Sequence, residues 1–171
     1  MRRKHDTSEG AHQALDQVAN WVRFADTKAT ILMAALGVVL TLTLANSSTV
    51  IEAIQRGTTA AIVVGFLVIV ATTFFAITLG SLARALMPTG TAEGSVNRFS
   101  WPLLAHASRE DLDDHLFAVP AHDDAWDQVL VLARAARQKF DACRTAVVSF
   151  VIFIAFAVLL VVVASVLALG L

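Results

Sequence analysis

Charge is what this sequence has little of: Asp, Glu, Lys and Arg make up 16% of its 171 residues, and long stretches hold none of them. A soluble domain carries roughly a quarter, so with 57% of residues hydrophobic the chain reads as an integral membrane protein. Its formal net charge of -1 leaves no basic field, which argues against a nucleic-acid partner. The lone cysteine, Cys143, excludes an intrachain disulfide and is expected as a reduced thiol on an apolar face. No Gly or Pro interrupts the run from Ala11 to Leu36, so one helix can pass through it.

Catalytic signatures are also missing. The chain has no Gly-x-Ser-x-Gly, no Walker-type loop and no dinucleotide-binding glycine pattern, and it is read as a non-enzyme. His115 follows Asp113 and Asp114, and His122 precedes Asp123 and Asp124. Adjacent helical residues point about 100° apart, so these are read as helix-start acids with solvated histidines, and no metal or cofactor is expected. Ionisable residues are absent from the longest apolar runs, which argues against a proton relay or a coupled transporter. Met1-Arg2-Arg3-Lys4 resembles the start of a signal peptide, but Asp6, Glu9, Asp16 and Arg23 replace the apolar stretch that should follow.

What is there is a set of three spans. Ala146 to Leu171 has no charge and only two polar side chains, Ser149 and Ser165. Its many valines would suit a strand in water, but a lone strand in lipid leaves its amides unpaired, so the bilayer forces a helix. Residues 58–80 are uncharged and reach roughly 34 Å as a helix, and 29–45 form a shorter span, against a hydrocarbon core of about 30 Å. The expected layout is an N-terminal amphipathic helix over 1–28, spans at 29–45, 58–80 and 146–171, a short loop at 46–57, and a helical segment at 81–145. The fold class is an all-α membrane protein with three transmembrane helices and a small cytosolic helical head. Of the 13 Lys and Arg residues, only Arg56 falls in the 46–57 loop. The N-terminus and middle segment are therefore expected in the cytoplasm, with the loop and the C-terminus outside. A head too small to bury a large core and the motifs Ala61-x-x-x-Gly65 and Ala76-x-x-x-Gly80 point to a homo-oligomer.

Within the middle segment, Met87 to Ala107 reads as a connection. Ser108-Arg109-Glu110-Asp111 reads as a helix start, running to about Ala118 and stopped by Pro120. Asp123 and Asp124 are expected to cap the next helix, which keeps helical spacing through Val129, Leu132, Ala136, Phe140 and Cys143. On its other face Leu130, Arg134, Arg137, Asp141 and Arg144 recur at three and four. Trp21 is expected as an interfacial anchor. Trp101 and Trp126 suit either a core or a stacking platform for a nucleobase whose phosphate an arginine holds.

The stretch Arg23-Phe24-Ala25-Asp26-Thr27-Lys28-Ala29 resembles the Arg-x-Ala-Asp-x-Lys-Ala signature of the transmembrane effectors of bacterial Pycsar antiphage systems. Asn97-Arg98-Phe99 and the helix from Gln128 to Arg144 are similar to the same family, and together the likeness covers about residues 15 to 165. The resemblance implies a two-gene abortive-infection system. A partner pyrimidine cyclase makes cyclic CMP or cyclic UMP on infection, and the effector impairs the cell inner membrane. It makes Arg98, Arg137, Lys139, Arg144, Trp101 and Trp126 the candidate nucleotide contacts. Arg23, Asp26, Lys28 and Asn97 become candidates for coupling the head to the first span. No cyclic-nucleotide-binding β-barrel is present in the sequence. Two other readings stand beside this one: a structural or regulatory membrane subunit that recruits a cytosolic partner without binding nucleotide, and a constitutive small channel.

Overall fold

The computed structural model describes residues 2–87 and 96–169, with side chains from residue 8 onward. Every regular element among them is a helix: α1 (Arg2–Ala45), α2 (Ser47–Gln55), α3 (Thr58–Leu86), α4 (Trp101–Leu104), α5 (Arg109–Ala118) and α6 (Ala121–Leu169). Pro88, Gly90 and Gly94 of the expected connection lie outside the described residues. The chain divides into two compact units, one of Met1–Asp26 with Met87–Phe140 and the other of Thr27–Leu86 with Asp141–Leu171.

The second unit contains the apolar stretches. Helices α1, α3 and α6 are each long and apolar enough to cross a membrane. Ala29, Leu36, Ala71, Leu82, Cys143, Ala146 and Phe153 are buried together. Phe74 stacks on Phe156 at 6.3 Å between centroids, and Phe75 packs on Phe153 at 5.6 Å. The outer surface is also apolar, with Ile31, Leu42, Phe66, Ile69 and Val151 exposed. Such a face is stable against lipid and not against water. Hydroxyls on these helices bond to the carbonyl one turn earlier: Thr41 donates to Gly37 O at 2.9 Å, Thr43 to Val39 O at 2.8 Å and Ser165 to Val161 O at 2.8 Å. That satisfies them without water. Thr78 and Ser149, both buried, lie 2.9 Å apart at their oxygens.

The segment 46–57, expected as a loop, is mostly the helix α2. The Asn-Ser-Ser break is real, since Asn46 is in a turn and its amide donates to Leu42 O at 2.9 Å. Val50 and Ala53 beyond it keep helical spacing, however: Ala53 is fully buried against Val64, Leu67, Leu160 and Ala164, and Val50 packs against the same cluster. Burying that apolar face outweighs the polar start. The Arg56 guanidinium donates to the carbonyl of Ala168 near the end of α6. α3 continues past the expected Gly80 to Leu86.

In the first unit the buried positions of α1 are Ala11, Val18 and Ala25, seven residues apart, and those of α6 include Ala125, Gln128, Ala135, Ala136 and Lys139. A seven-residue repeat of small apolar side chains is the seam of closely packed helices. α5 begins with the expected motif closed as a capping box: Asp111 N–H donates to Ser108 Oγ at 3.1 Å, while the Ser108 hydroxyl and N–H donate to Asp111 Oδ2 at 2.6 and 3.1 Å. The side-chain and then the backbone bond from Ser108 hold the Asp111 carboxyl below its ordinary range.

Gly57 joins α2 to α3 at φ 153°, a region L side chains rarely adopt. Gly57→Ala should destabilise the protein by about 1 to 3 kcal/mol. Gly10→Ala, inside α1 where an added Cβ meets nothing within 4 Å, should stabilise it by up to about 1 kcal/mol. Thermal midpoints in neutral detergent check both signs.

Candidate functional site

Two ionic junctions and one exposed face of the first unit hold most of the residues singled out above. The first junction is built by Asn97-Arg98-Phe99. Arg98 Nε donates to Asp124 Oδ2 at 2.6 Å, and its Nη2 donates to the carbonyl of Val119, the residue that ends α5, at 2.5 Å. Asn97 donates through Nδ2 to Asp124 O at 2.9 Å and accepts the Phe99 N–H on Oδ1 at 2.8 Å. His115 Nε2 lies 2.9 and 3.0 Å from the two Asp124 oxygens. The Phe99 ring meets His12 of α1 edge-on at 5.5 Å. One carboxylate thus joins the end of α5, the first turn of α6 and the segment before α4.

The Asp124 side chain is 4% exposed. Burial pushes its carboxyl up, but the bonds from Arg98 and His115 and the nearby His115 outweigh that and leave it below the ordinary value. The first turn of a helix also favours an anion. Two expectations are corrected by this geometry. Asp124 turns inward to Arg98 and His115 instead of capping α6. His115 is not a solvated neighbour of Asp113 and Asp114, which are exposed; it is nearly buried on Asp124. His122 does stay near the surface, 3.3 Å from Asp123.

The second junction is Lys139 of α6, whose ammonium donates to Asp26 Oδ1 of α1. The lysine side chain is 6% exposed and the aspartate 40%. Asp26 and Lys139 were both singled out in the sequence, but not as each other's partner. The signal that could have paired them is that Lys139 falls at helical spacing with Leu132, Ala136 and Cys143, where an apolar residue is expected.

The remaining candidates are spread out. Trp126, Leu130, Arg134 and Arg137 are all exposed on one face of α6. Trp101, on α4, is 72% exposed. Neither tryptophan is in a core. Arg23 donates to Asn20 Oδ1 at 2.9 Å, and Lys28 is exposed. Arg144 belongs to the second unit. The structure therefore joins Asn97 with Arg98 and Asp26 with Lys139, and aligns Trp126 with Arg137; Arg98 and Lys139 belong to two separate junctions. Sequence reasoning missed His115 and the Val119 carbonyl, whose roles depend on tertiary placement. Among the described residues no His, Cys, Asp and Glu cluster could hold a metal ion.

Because folding lowers the Asp124 pKa, its contribution to stability is fully present above the ordinary carboxylate value of about 4 and is lost as pH falls through the folded-state value. Asp124→Ala should cost roughly 3 kcal/mol at neutral pH and remove this part of the acid sensitivity, read by tryptophan fluorescence during acid titration. At the second junction, Asp26→Ala should destabilise more than Lys139→Met. The first removes a carboxylate from a buried ammonium, at roughly 2 to 3 kcal/mol given that Asp26 is partly solvated, whereas the second leaves a carboxylate that water can reach. Denaturation midpoints of the two variants give the order.

No curated protein and no solved structure matches the chain. The family model of the Pycsar effector protein domain, PycTM, matches residues 10–169, which takes in both junctions and all three apolar helices. The chain belongs to the Pycsar effector family.

Proposed function

We propose that this protein is the membrane effector of a two-gene abortive-infection system. A partner cyclase supplies cyclic CMP or cyclic UMP on phage infection, and the effector responds by impairing the integrity of the inner membrane. The observation that carries this is the family match over residues 10–169 in a chain with three helices fit to cross a bilayer. The distribution of basic residues supports an N-terminus in the cytoplasm and a C-terminus in the periplasm. In this proposal the first unit lies on the side where a cyclase product would accumulate.

The nucleotide is proposed to meet the exposed face of α6. Trp126 offers a ring for the pyrimidine, and Arg134 and Arg137 offer guanidinium groups for the cyclic phosphate. Trp126 and Arg134 lie on one face of α6, about 12 Å apart along its axis. Arg98 and Lys139 are engaged by Asp124 and Asp26. In this proposal they shape the unit that responds, and a ligand shifts it only by as much as it prefers the active arrangement.

A second reading, recruitment of a cytosolic partner without nucleotide, is favoured by the apolar side chains left bare on the first unit, Phe117 at 98% exposure above all. Membrane potential separates the readings. Cells expressing the protein should depolarise only when a pyrimidine cyclase is co-expressed, and Trp126→Ala or Arg137→Glu should abolish the response at equal protein level. Depolarisation without a cyclase would point to a constitutive channel, and none with either nucleotide would favour the recruiting subunit.

A further inference from the structure

In the second unit, a groove of about 670 Å³ is lined by Thr72, Ala76, Gly80, Ser81 and Arg84 of α3 and Thr145 of α6. A second groove, about 510 Å³, shares Ile77 and Thr145 with it and is bordered by Arg144 and Asp141. Both volumes are of the size that holds a small-molecule ligand. A Cβ built on Gly80 meets nothing within 4 Å, so the small-residue pair Ala76 and Gly80 is not used for packing inside the chain.

Arg84 is the first charge after the uncharged run of α3, and Arg144 is the last before the uncharged run of α6. Both therefore stand at the same edge of the apolar unit, where the grooves reach the end of the span. Both are exposed. Arg56, Arg98 and Lys139 each bond to a named oxygen. Among the described residues, no hydrogen bond or ion pair is found for Arg84 or Arg144.

We propose that this pair of grooves is a site for one anionic phospholipid, whose phosphodiester is held by Arg84 and Arg144 and whose glycerol and acyl chain lie over Gly80. Charge selects the occupant. Two arginines and Asp141 give the rim a formal charge that one monoanionic phosphodiester neutralises, whereas a zwitterionic lipid brings an ammonium of its own. The wall suits the apolar part, because the Thr73 and Thr145 hydroxyls already donate to Ile69 O and Asp141 O at 2.8 and 3.1 Å. A second copy docked here through a two-fold axis would instead set its own Arg84 and Arg144 against these.

The test is native mass spectrometry of the full chain released from neutral detergent after exposure to phosphatidylglycerol and phosphatidylcholine with identical acyl chains. The wild type should retain phosphatidylglycerol roughly tenfold better, as two basic residues near a membrane surface allow. R84Q/R144Q should lose that preference, R109Q, at an exposed arginine of α5, should keep it, and G80L, which fills the open space without a clash inside the chain, should lower retention of the anionic lipid. Circular dichroism checks that each variant keeps its helices, and the arginine variants decide the matter if G80L does not fold. Equal retention of the two lipids by the wild type, or an R84Q/R144Q variant that behaves like it, overturns the proposal. So does an R109Q variant that loses the preference equally, or a G80L variant that turns a dimer into a monomer while keeping phosphatidylglycerol.

Discussion

An ammonium group kept from water needs a carboxylate close by, and that requirement ties the first unit together at Lys139 and Asp26. An apolar pair of similar volume could stabilise such a contact as well or better. What the charged pair adds is intolerance of error. Sliding α1 along α6 by two turns would set Ala19 or Met33 in place of Asp26 opposite Lys139, whereas the apolar seam of Ala11, Val18 and Ala25, which repeats every seven residues, would pack nearly as well in the shifted register. The buried charges of Arg98 and Asp124 act similarly on the shorter elements, whose apolar contacts alone are too few to hold them.

The two units solve different solvent problems with one kind of secondary structure. In the lipid-facing unit the backbone must satisfy itself, so every apolar run becomes a helix and the few hydroxyls fold back onto carbonyls. In the other unit, polar side chains cross between elements: Asn97 to the backbone at Asp124, Arg98 to the backbone at Val119, and His115 to a carboxylate on the next helix. A ligand that competed for any of these groups would loosen several elements together, because each carries more than one connection.

Much of the fold was legible in the sequence. Uncharged runs have one solution in a bilayer, and Ser108 with Asp111 is a local motif whose partners lie three residues apart. The helix α2 was missed because Asn46-Ser47-Ser48 is a strong local break, and only the tertiary burial of Ala53 shows that the chain coils again. The candidate site was legible as a list of residues but less so as pairs. Asp124 looks like any acid in a first helical turn, and nothing local reveals that Arg98, far back in the chain, claims it. Lys139 carried a readable clue, a cation on an apolar stripe. Trp101 and Trp126 carried none, since an aromatic ring at helical spacing looks the same whether it faces a core or a solvent.

Arg56 stands apart from the other basic residues, on the opposite side of the second apolar helix from Arg84. Its guanidinium meets the carbonyl of Ala168, at the negative end of α6. The bond therefore fastens the turn between α2 and α3 to the last turn of α6, and gives a charged donor to one of the carbonyls that a helix end leaves without an intrahelical partner.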